Sequence, residues 1–179
     1  MVFLHLATGF EELEAITIYT VLKRGGVDIR LISINEDLEV HGARGAVLIA
    51  NEKISESDYS KCEMIILPGG ALGAKNLLEN RILSKKIEEF AEAKKWIGAI
   101  CAAPMVLGEL GILAGKDATS YPGFESHLKG ANLSSNNVVV SERVVTSKGP
   151  GTALEFAFTL LTILKGEAES NKIKSQMLL

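Results

Sequence analysis

Cysteine is scarce in this 179-residue chain, which contains only Cys62 and Cys101. Two cysteines provide neither a disulfide framework nor the ligands of a zinc site, so the sequence predicts no metal and a reducing, cytoplasmic location. Apolar runs long enough to span a bilayer are also lacking. The N-terminal segment has no basic region and no extended apolar core, which favours a first β-strand over a signal peptide.

Positive charge is not in excess, since the formal net charge is -3, and no block of Lys and Arg occurs. The sequence therefore gives no electrostatic reason to expect a nucleic-acid partner. It also lacks Ser/Pro-rich linkers and internal repeats. With 47% hydrophobic residues, the chain is predicted to form a single domain over residues 1–179.

Apolar strand-like segments alternate with amphipathic segments along the whole chain. We expect strands at 2–7, 27–34, 64–67, 96–100, 138–140 and 144–147, helices at 12–24, 83–94 and 151–164, and a hairpin at 36–50. This order predicts an α/β fold with a mostly parallel sheet and helices on both faces.

Ligands of such sheets bind at the carboxyl ends of the strands. The segments that follow the predicted strands should therefore share one pocket: Thr8 to Glu14, Pro68 to Gly73, Cys101-Ala102, Tyr121-Pro122 and Lys148 to Gly151. Cys101 is the only nucleophilic thiol in this set. It follows an apolar strand and precedes a small-residue segment with Pro104 in the first helical turn, a pattern of strand, sharp turn and helix. A helix beginning there would favour the thiolate, although a small buried apolar role for the cysteine is about equally compatible with the local pattern.

Three carboxylates, Glu11, Glu12 and Glu14, fall in the first turns of the first helix. The helix dipole favours acidic residues there without any further function. Helical spacing places Glu11 and Glu14 near one face and Glu12 on another, so one or two of them can face the pocket. A neutral carboxyl at that place would donate a hydrogen bond to a thiolate and lower the pKa of the thiol.

The glycine-rich segment after the third strand lacks the Gly-Lys-Ser/Thr ending of a phosphate-binding loop, and no cofactor is predicted. The N–H groups of Gly70 and Ala102 would instead form an oxyanion hole, unless the glycines only make a tight turn. Histidine is missing from every predicted strand end. We expect His5 in the core and His41 and His127 at the surface, which argues against Cys-His catalysis.

Four segments together resemble the successive signatures of the ThiJ/PfpI superfamily, in particular its branch of the Parkinson-disease-associated protein deglycase and bacterial YajL-type proteins: residues Ala7 to Ala15, Leu67 to Leu77, Ala99 to Pro104 and Thr146 to Thr152. The resemblance covers essentially the whole chain. It implies a flavodoxin-like three-layer sandwich with Cys101 on a nucleophile elbow, Glu14 as a protonated acid bonded to the sulfur, and Gly70 and Ala102 as backbone donors.

The resemblance also implies a homodimer, with Arg24 and Arg44 near the subunit interface and the rim of the site. Several family members have histidine before the proline of the loop at 121–123, where this chain has Tyr121. An aromatic residue at this position makes peptidase chemistry doubtful and makes Tyr121 a candidate substrate contact.

The function that the resemblance implies is a cysteine-dependent deglycase or cofactor-independent glyoxalase. Its substrates would be glyoxal, methylglyoxal or their early adducts on protein thiols and amines, and its products glycolate or lactate. The alternatives are a non-enzymatic redox sensor or chaperone that uses Cys101 and, with less support, a cysteine peptidase or amidotransferase.

Overall fold

The computed structural model describes all residues from 1 to 179 and is built around a seven-stranded sheet. The eleven strands of the chain are β1 (Val2–Leu6), β2 (Ile29–Ser33), β3 (Glu39–His41), β4 (Val47–Ile49), β5 (Glu52–Lys53), β6 (Met64–Leu67), β7 (Trp96–Ile100), β8 (Asp117–Ala118), β9 (Asn132–Leu133), β10 (Val138–Ser141) and β11 (Val144–Ser147). The sheet has the order β10-β11-β7-β6-β1-β2-β5, and β10 is its one antiparallel strand. The expected mostly parallel sheet is confirmed.

Six α-helices cover the sheet: α1 (Glu12–Arg24), α2 (Ala71–Glu79), α3 (Arg81–Glu92), α4 (Pro104–Glu109), α5 (Ala153–Lys165) and α6 (Glu167–Gln176). Helices α1, α5 and α6 share one apolar core with one face of the sheet, and α2, α3 and α4 share the other. Along β1 the side chains alternate between the two, since Val2 and Leu4 belong to the first core and Phe3 to the second. This gives the three-layer sandwich that the resemblance implies. None of the helices is both long and apolar enough to cross a membrane.

The sequence predicted the main elements and missed two helices and the two-residue strands β5, β8 and β9. Helix α1 and strands β6 and β11 have the predicted bounds, and the hairpin is present as the antiparallel pair β3 and β4. Helix α2 was expected as part of a glycine-rich loop, but Gly73 allows it to pack against the backbone of Gly9. Helix α6 lacks an apolar stripe, since its buried residues are only Ser170 and Ile173. Both helices were missed for the same reason. They are stabilised by contacts with the rest of the fold, which the apolar pattern of their own residues does not indicate.

The order of the strands determines where the site lies. The chain runs from β1 outwards to β2 on one side, then returns to place β6 on the other side of β1. The segments that follow β1 and β6 therefore separate at the carboxyl edge and leave a crevice between them. The loop after β7, which contains Cys101, lies beside this crevice because β7 pairs with β6.

Candidate active site

Cys101 occupies a strained backbone turn directly after β7. Its φ angle is 65°, which is unusual for a residue with a side chain. The turn is held from both sides, since the Cys101 N–H donates to the Ser147 carbonyl at 2.9 Å and the Cys101 carbonyl accepts from the Tyr121 N–H at 2.8 Å. The predicted strand, turn and helix are therefore present. Helix α4 has only six residues, so its dipole contributes less to the sulfur than the sequence pattern suggested.

The sulfur of Cys101 is surrounded by backbone from three loops. A Cβ atom on Gly69 would lie 3.0 Å from the sulfur, and one on Gly149 would lie 3.9 Å from it. The backbone N–H groups of Gly70 and Ala102 both donate towards the sulfur. These are the two donors named from the sequence. Gly69 and Gly149 were not singled out, although both lie in segments that the strand-end rule selected.

Glycine is required in the loop after β6. Gly70 has a φ angle of 90°, and a Cβ there would collide with the Gly9 carbonyl oxygen. A Cβ on Gly69 would also lie 2.7 Å from the Glu14 carboxyl oxygen Oε2. These glycines make more than a tight turn, because they let the backbone approach both the sulfur and the carboxyl.

Glu14 projects from the inward face of α1 towards this loop, one turn before the buried Ile18. It is 0% exposed, and its Oε2 accepts the Gly69 N–H at 2.7 Å. The other oxygen, Oε1, is buried without a conventional hydrogen-bond partner. Burial raises the pKa of the Glu14 carboxyl to about 7. Since Oε2 already accepts a hydrogen bond, the proton of the neutral carboxyl belongs on Oε1.

The thiol and the carboxyl interact as a pair. Burial raises the pKa of the Cys101 thiol to about 12, with a further increase from the charge of Glu14, while the Gly70 and Ala102 N–H groups lower it. The pair thus loses its first proton near pH 7 and its second near pH 12. Burial thus outweighs the two backbone donors and raises the pKa of the thiol, opposite to the lowering that the helix terminus and a neutral Glu14 predict.

A thiolate still forms in the singly ionised pair when the remaining proton lies on Glu14. The N–H groups of Gly70 and Ala102 favour the negative charge on sulfur, and the Gly69 N–H favours it on the carboxylate. The balance between these two sets of donors therefore determines whether the remaining proton lies on the sulfur or on the carboxyl. A nucleophilic thiolate would be the form in which the carboxyl is neutral, which is the state that the resemblance implies for Glu14.

The other two carboxylates of α1 hold the β3–β4 hairpin against the helix. Glu11 Oε2 caps α1 by accepting the Glu14 N–H at 2.8 Å, and Glu11 Oε1 pairs with Arg44 at 2.9 Å. Glu12 Oε1 accepts the backbone N–H groups of Arg44 and Ala46, and these bonds keep the pKa of Glu12 below its usual value despite its burial. Only Glu14 faces the sulfur.

The two arginines named from the resemblance are in different places. The Arg44 side chain is 69% exposed at the mouth of the crevice, and its charge lowers the pKa of Glu14 slightly. Arg24 is exposed at the far end of α1, ten residues and about 15 Å from Glu14. The structure therefore brings Arg44 to the rim of the site and leaves Arg24 outside it.

Tyr121 lies at the other side of the rim, with its ring against Gly149 and 46% of its surface exposed. The loop containing Gly149 is held by Thr152, whose hydroxyl bonds to Ser147 Oγ at 2.7 Å and accepts the Gly149 N–H at 3.1 Å. Ser147 and Thr152 are positioning residues whose roles the sequence did not predict beyond a helix cap at Thr152. The sequence feature that could have indicated these roles is the presence of polar side chains at and just after the end of a strand.

None of the three histidines is bonded to the sulfur of Cys101. His5 is fully buried in the core, where its Nε2 bonds to the Tyr59 hydroxyl at 2.6 Å and burial lowers its pKa to about 3. His127 Nδ1 bonds to Glu109 at 2.9 Å, and His41 is exposed on β3. No group of three or more His, Cys, Asp or Glu residues is arranged to hold a metal ion.

Comparison with known proteins gives the family of this chain. A family model described as DJ-1/PfpI matches residues 1–163. The chain belongs to the DJ-1/PfpI family. Among solved structures, it is similar to oxidized DJ-1 of Toxoplasma gondii, with 32% identity, a TM-score of 0.95, and coverage of 99% of this chain and 97% of that one.

Curated relatives of the family include both longer and similar-sized proteins. Protein DJ-1 homolog A of Arabidopsis thaliana is 35% identical over 181 residues, which cover 99% of this chain. The match spans only 46% of that relative, so this chain is less than half its length. Glutathione-independent glyoxalase DJR-1.2 of Caenorhabditis elegans is 34% identical over 164 residues, covering 91% of this chain and 87% of that relative.

The two cysteines of this DJ-1/PfpI protein are expected to differ in reactivity. Limiting iodoacetamide should modify Cys101 well before Cys62, as measured by peptide mapping. The Cys62 sulfur is buried at 1% exposure, donates to the Met64 carbonyl at 3.3 Å, and has its pKa raised by burial to about 11. Cys101 is 8% exposed and shares its first ionisation with Glu14 near pH 7. Equal or reversed labelling would contradict the arrangement described for the site.

Proposed function

We propose that this protein is a cysteine-dependent enzyme that converts methylglyoxal or glyoxal, free or as early adducts on thiols and amines, into lactate or glycolate. The observation that carries the proposal is the position of the Cys101 sulfur between a neutral acid, Glu14, and two backbone N–H donors. Nucleophile, proton carrier and oxyanion donors are the parts that addition to a carbonyl requires. No cofactor is needed for the chemistry.

The first step is addition of the Cys101 thiolate to the aldehyde carbon of methylglyoxal. A carbon–sulfur bond forms and the C=O electron pair moves to oxygen. The N–H groups of Gly70 and Ala102 stabilise this negative oxygen, and Glu14 supplies the proton that converts it to a hydroxyl. The product is a hemithioacetal on Cys101.

The second step moves hydrogen within the bound molecule. Glu14, now ionised, removes the proton from the former aldehyde carbon, and a proton is returned to the neighbouring ketone carbon. The first carbon is oxidised to a thioester and the second is reduced to an alcohol, so no external oxidant or reductant is required. Water then hydrolyses the thioester, which releases lactate and restores the Cys101 thiol. With glyoxal the same sequence gives glycolate.

Two residues at the rim are proposed substrate contacts. Arg44 carries a positive charge at the rim that acts on Glu14, and it would attract the developing carboxylate of the product. Tyr121 places a half-exposed ring beside Gly149, where it would contact the carbon chain of an adduct. The name of the C. elegans relative, a glutathione-independent glyoxalase, supports this substrate class.

A redox sensor that uses the same cysteine is the second candidate. The observation in its favour is that Gly70, Ala102 and a protonated Glu14 would all donate to the oxygens of a sulfinate on Cys101. A cysteine peptidase is not proposed, because His5 and His127 are bonded elsewhere and His41 is exposed on β3.

The decisive experiment is a steady-state assay of the purified protein with methylglyoxal and chiral detection of lactate. Sustained formation of one lactate enantiomer supports the enzyme. If no lactate forms, and peroxide-treated protein suppresses the aggregation of an unfolded client, the sensor is correct and the proposed enzyme is wrong.

We also propose that the protein assembles as a homodimer through α1 and the β3–β4 hairpin. Four large apolar side chains are exposed on these neighbouring elements: Leu13 at 51%, Ile16 at 44%, Val47 at 44% and Ile49 at 59%. A second copy of the same surface would cover them and the edge of the short hairpin. The Glu11–Arg44 pair joins the two elements, so this surface adjoins the rim of the candidate site.

Sedimentation equilibrium should report a mass about twice that of the 19.2 kDa chain. Replacing Ile49 by Glu is expected to shift the protein to monomer, because a charge would be desolvated in the interface. A matched change at the exposed Leu133, which lies on β9 and outside α1 and the hairpin, should leave the dimer intact. A wild-type protein that stays monomeric at micromolar concentration would contradict the dimer.

A further inference from the structure

A second cleft, of about 770 Å³, lies at the amino ends of β7 and β11. Its lining includes Ile97 near the start of β7, whereas Cys101 follows the end of the same strand. The two residues are four positions apart, which corresponds to about 13 Å along a strand. This cleft, called the basic cleft below, is therefore separate from the candidate active site.

Positive charge is concentrated in the basic cleft. Lys94, Lys95, Lys116 and Arg143 line it, and Glu142 is the only carboxylate among the lining residues. Glu142 forms an ion pair with Lys116 at 3.3 Å, which leaves three cations without a carboxylate partner. The whole chain has a formal net charge of -3, so this local excess of positive charge is opposite to the average. A concave surface of one sign concentrates small ions of the other.

Two of the cations are already held in place by aromatic rings. The Arg143 guanidinium lies 4.8 Å from the centre of the Trp96 ring, and Lys95 Nζ lies 4.8 Å from that of Phe90. Lys95 Nζ also donates to the Cys62 carbonyl at 2.9 Å. Arg143 and Lys94 have no hydrogen-bond acceptor or carboxylate partner in the structure, so their donors remain available to a ligand.

The basic cleft also contains apolar surface. Ala91 and Ile112 contribute it, whereas Ile97 and Val144, at 1% and 4% exposure, offer a ligand almost none. A bare inorganic anion would not use this surface, and a cleft of this volume has the size of a small-molecule site. The four cations line one concavity, and the sequence has no block of Lys and Arg that would extend it into a groove for a nucleic-acid strand.

We propose that the basic cleft binds a small phosphorylated organic anion whose apolar or aromatic body packs against Ala91 and Ile112. Arg143 and Lys94 contact its phosphates. A nucleoside diphosphate has both parts, and ADP is the probe for the test. The proposal does not depend on the chemistry of Cys101.

The test is isothermal titration of the wild-type protein with ADP at low salt, compared with the double variant Lys94→Gln/Arg143→Gln. The double variant should bind at least about tenfold more weakly, since it loses two charged donors. The control is Lys75→Gln/Lys172→Gln, which removes the same charge at two exposed sites outside the cleft and should bind like the wild type. Thermal unfolding checks that both variants are folded.

Three further titrations define the site. ADP should bind Cys101→Ser as it binds the wild type, because the cleft and the sulfur are at opposite ends of β7. Inorganic pyrophosphate and adenosine should each bind at least about tenfold more weakly than ADP, since each lacks one part of the ligand. The proposal is overturned by absence of ADP binding, by equal affinity of the two double variants, or by equal affinity for pyrophosphate and ADP.

Discussion

Cys101→Ser is expected to abolish lactate formation from methylglyoxal while leaving the fold intact. Serine is close in size to cysteine and fits the strained turn, but its hydroxyl is not ionised near neutral pH and is a much weaker nucleophile. Loss of a covalent nucleophile lowers kcat/KM by roughly 10³-fold or more. The measurement is the chiral lactate assay on protein whose thermal midpoint matches the wild type.

Cys62→Ser is the matched control for this substitution. The Cys62 sulfur donates to the Met64 carbonyl in the core, and a serine hydroxyl keeps that donor. This variant should retain wild-type turnover. Lactate formation that persists in Cys101→Ser would show that the sulfur does not carry the reaction, and the proposed mechanism would then be wrong.

Replacing Glu14 is expected to have the second-largest effect, on both turnover and pH dependence. Glu14→Gln keeps the shape of the side chain and a donor beside the sulfur but removes the transferable proton, so it should reduce turnover by about 10²-fold to 10⁴-fold. Glu14→Leu also removes the donor. Neither variant should retain wild-type turnover, because proton transfer between the two substrate carbons needs a group that gains and loses a proton.

The pH dependence of Cys101 alkylation distinguishes the roles of charge and donor. In the wild type, alkylation should rise with an apparent pKa of about 7, where the pair loses its first proton. In Glu14→Leu, burial still raises the pKa of the thiol and no neighbouring acid supplies that first ionisation, so the profile should move upwards by more than about one unit. Glu14→Gln should lie between them. An unchanged or lower profile in Glu14→Leu would mean that Glu14 does not act on the sulfur.

The same carboxyl makes stability depend on pH. Folding raises the pKa of Glu14 from 4.5 to about 7, so its contribution to stability is fully present below pH 4.5 and is lost as the pH rises to about 7. The loss is about 3 kcal/mol, because one pKa unit corresponds to about 1.4 kcal/mol. Glu14→Gln stays neutral and should lack this decline. Urea unfolding of both proteins at pH 4.5 and pH 8 measures the difference, and parallel declines would contradict the assignment.

Several parts of the candidate site were predictable from the sequence because they depend on local pattern. Cys101 lies between an apolar strand and a helix start, and any parallel sheet brings such a turn to its carboxyl edge. The same rule selected the loop of Gly70 and the first turn of α1. The scarcity of histidine near strand ends correctly argued that His5, His41 and His127 lie elsewhere.

The direction of the Cys101 pKa was not predictable in this way. The sequence pattern around Cys101 indicates only the N–H donors and the helix terminus that stabilise a thiolate. It does not include the desolvation produced by the three loops that close over the sulfur, and in the folded chain this burial is the largest influence on the pKa. Burial depends on residues far apart in the chain, such as Gly69 and Gly149.

The sequence by itself determined the alternation of strands and helices, and with it the parallel sheet and the edge at which Cys101 lies, because these follow from local periodicity and short connections. The helical pattern left open which of the three glutamates faces the sulfur; the family resemblance implied Glu14, and the tertiary structure decided it. Glu14 meets Gly69 across 55 positions of the chain, while Glu11 and Glu12 are engaged by the hairpin. Helix spacing limits the choice, but the partner that each carboxylate meets depends on how the loops after β1, β3 and β6 pack together.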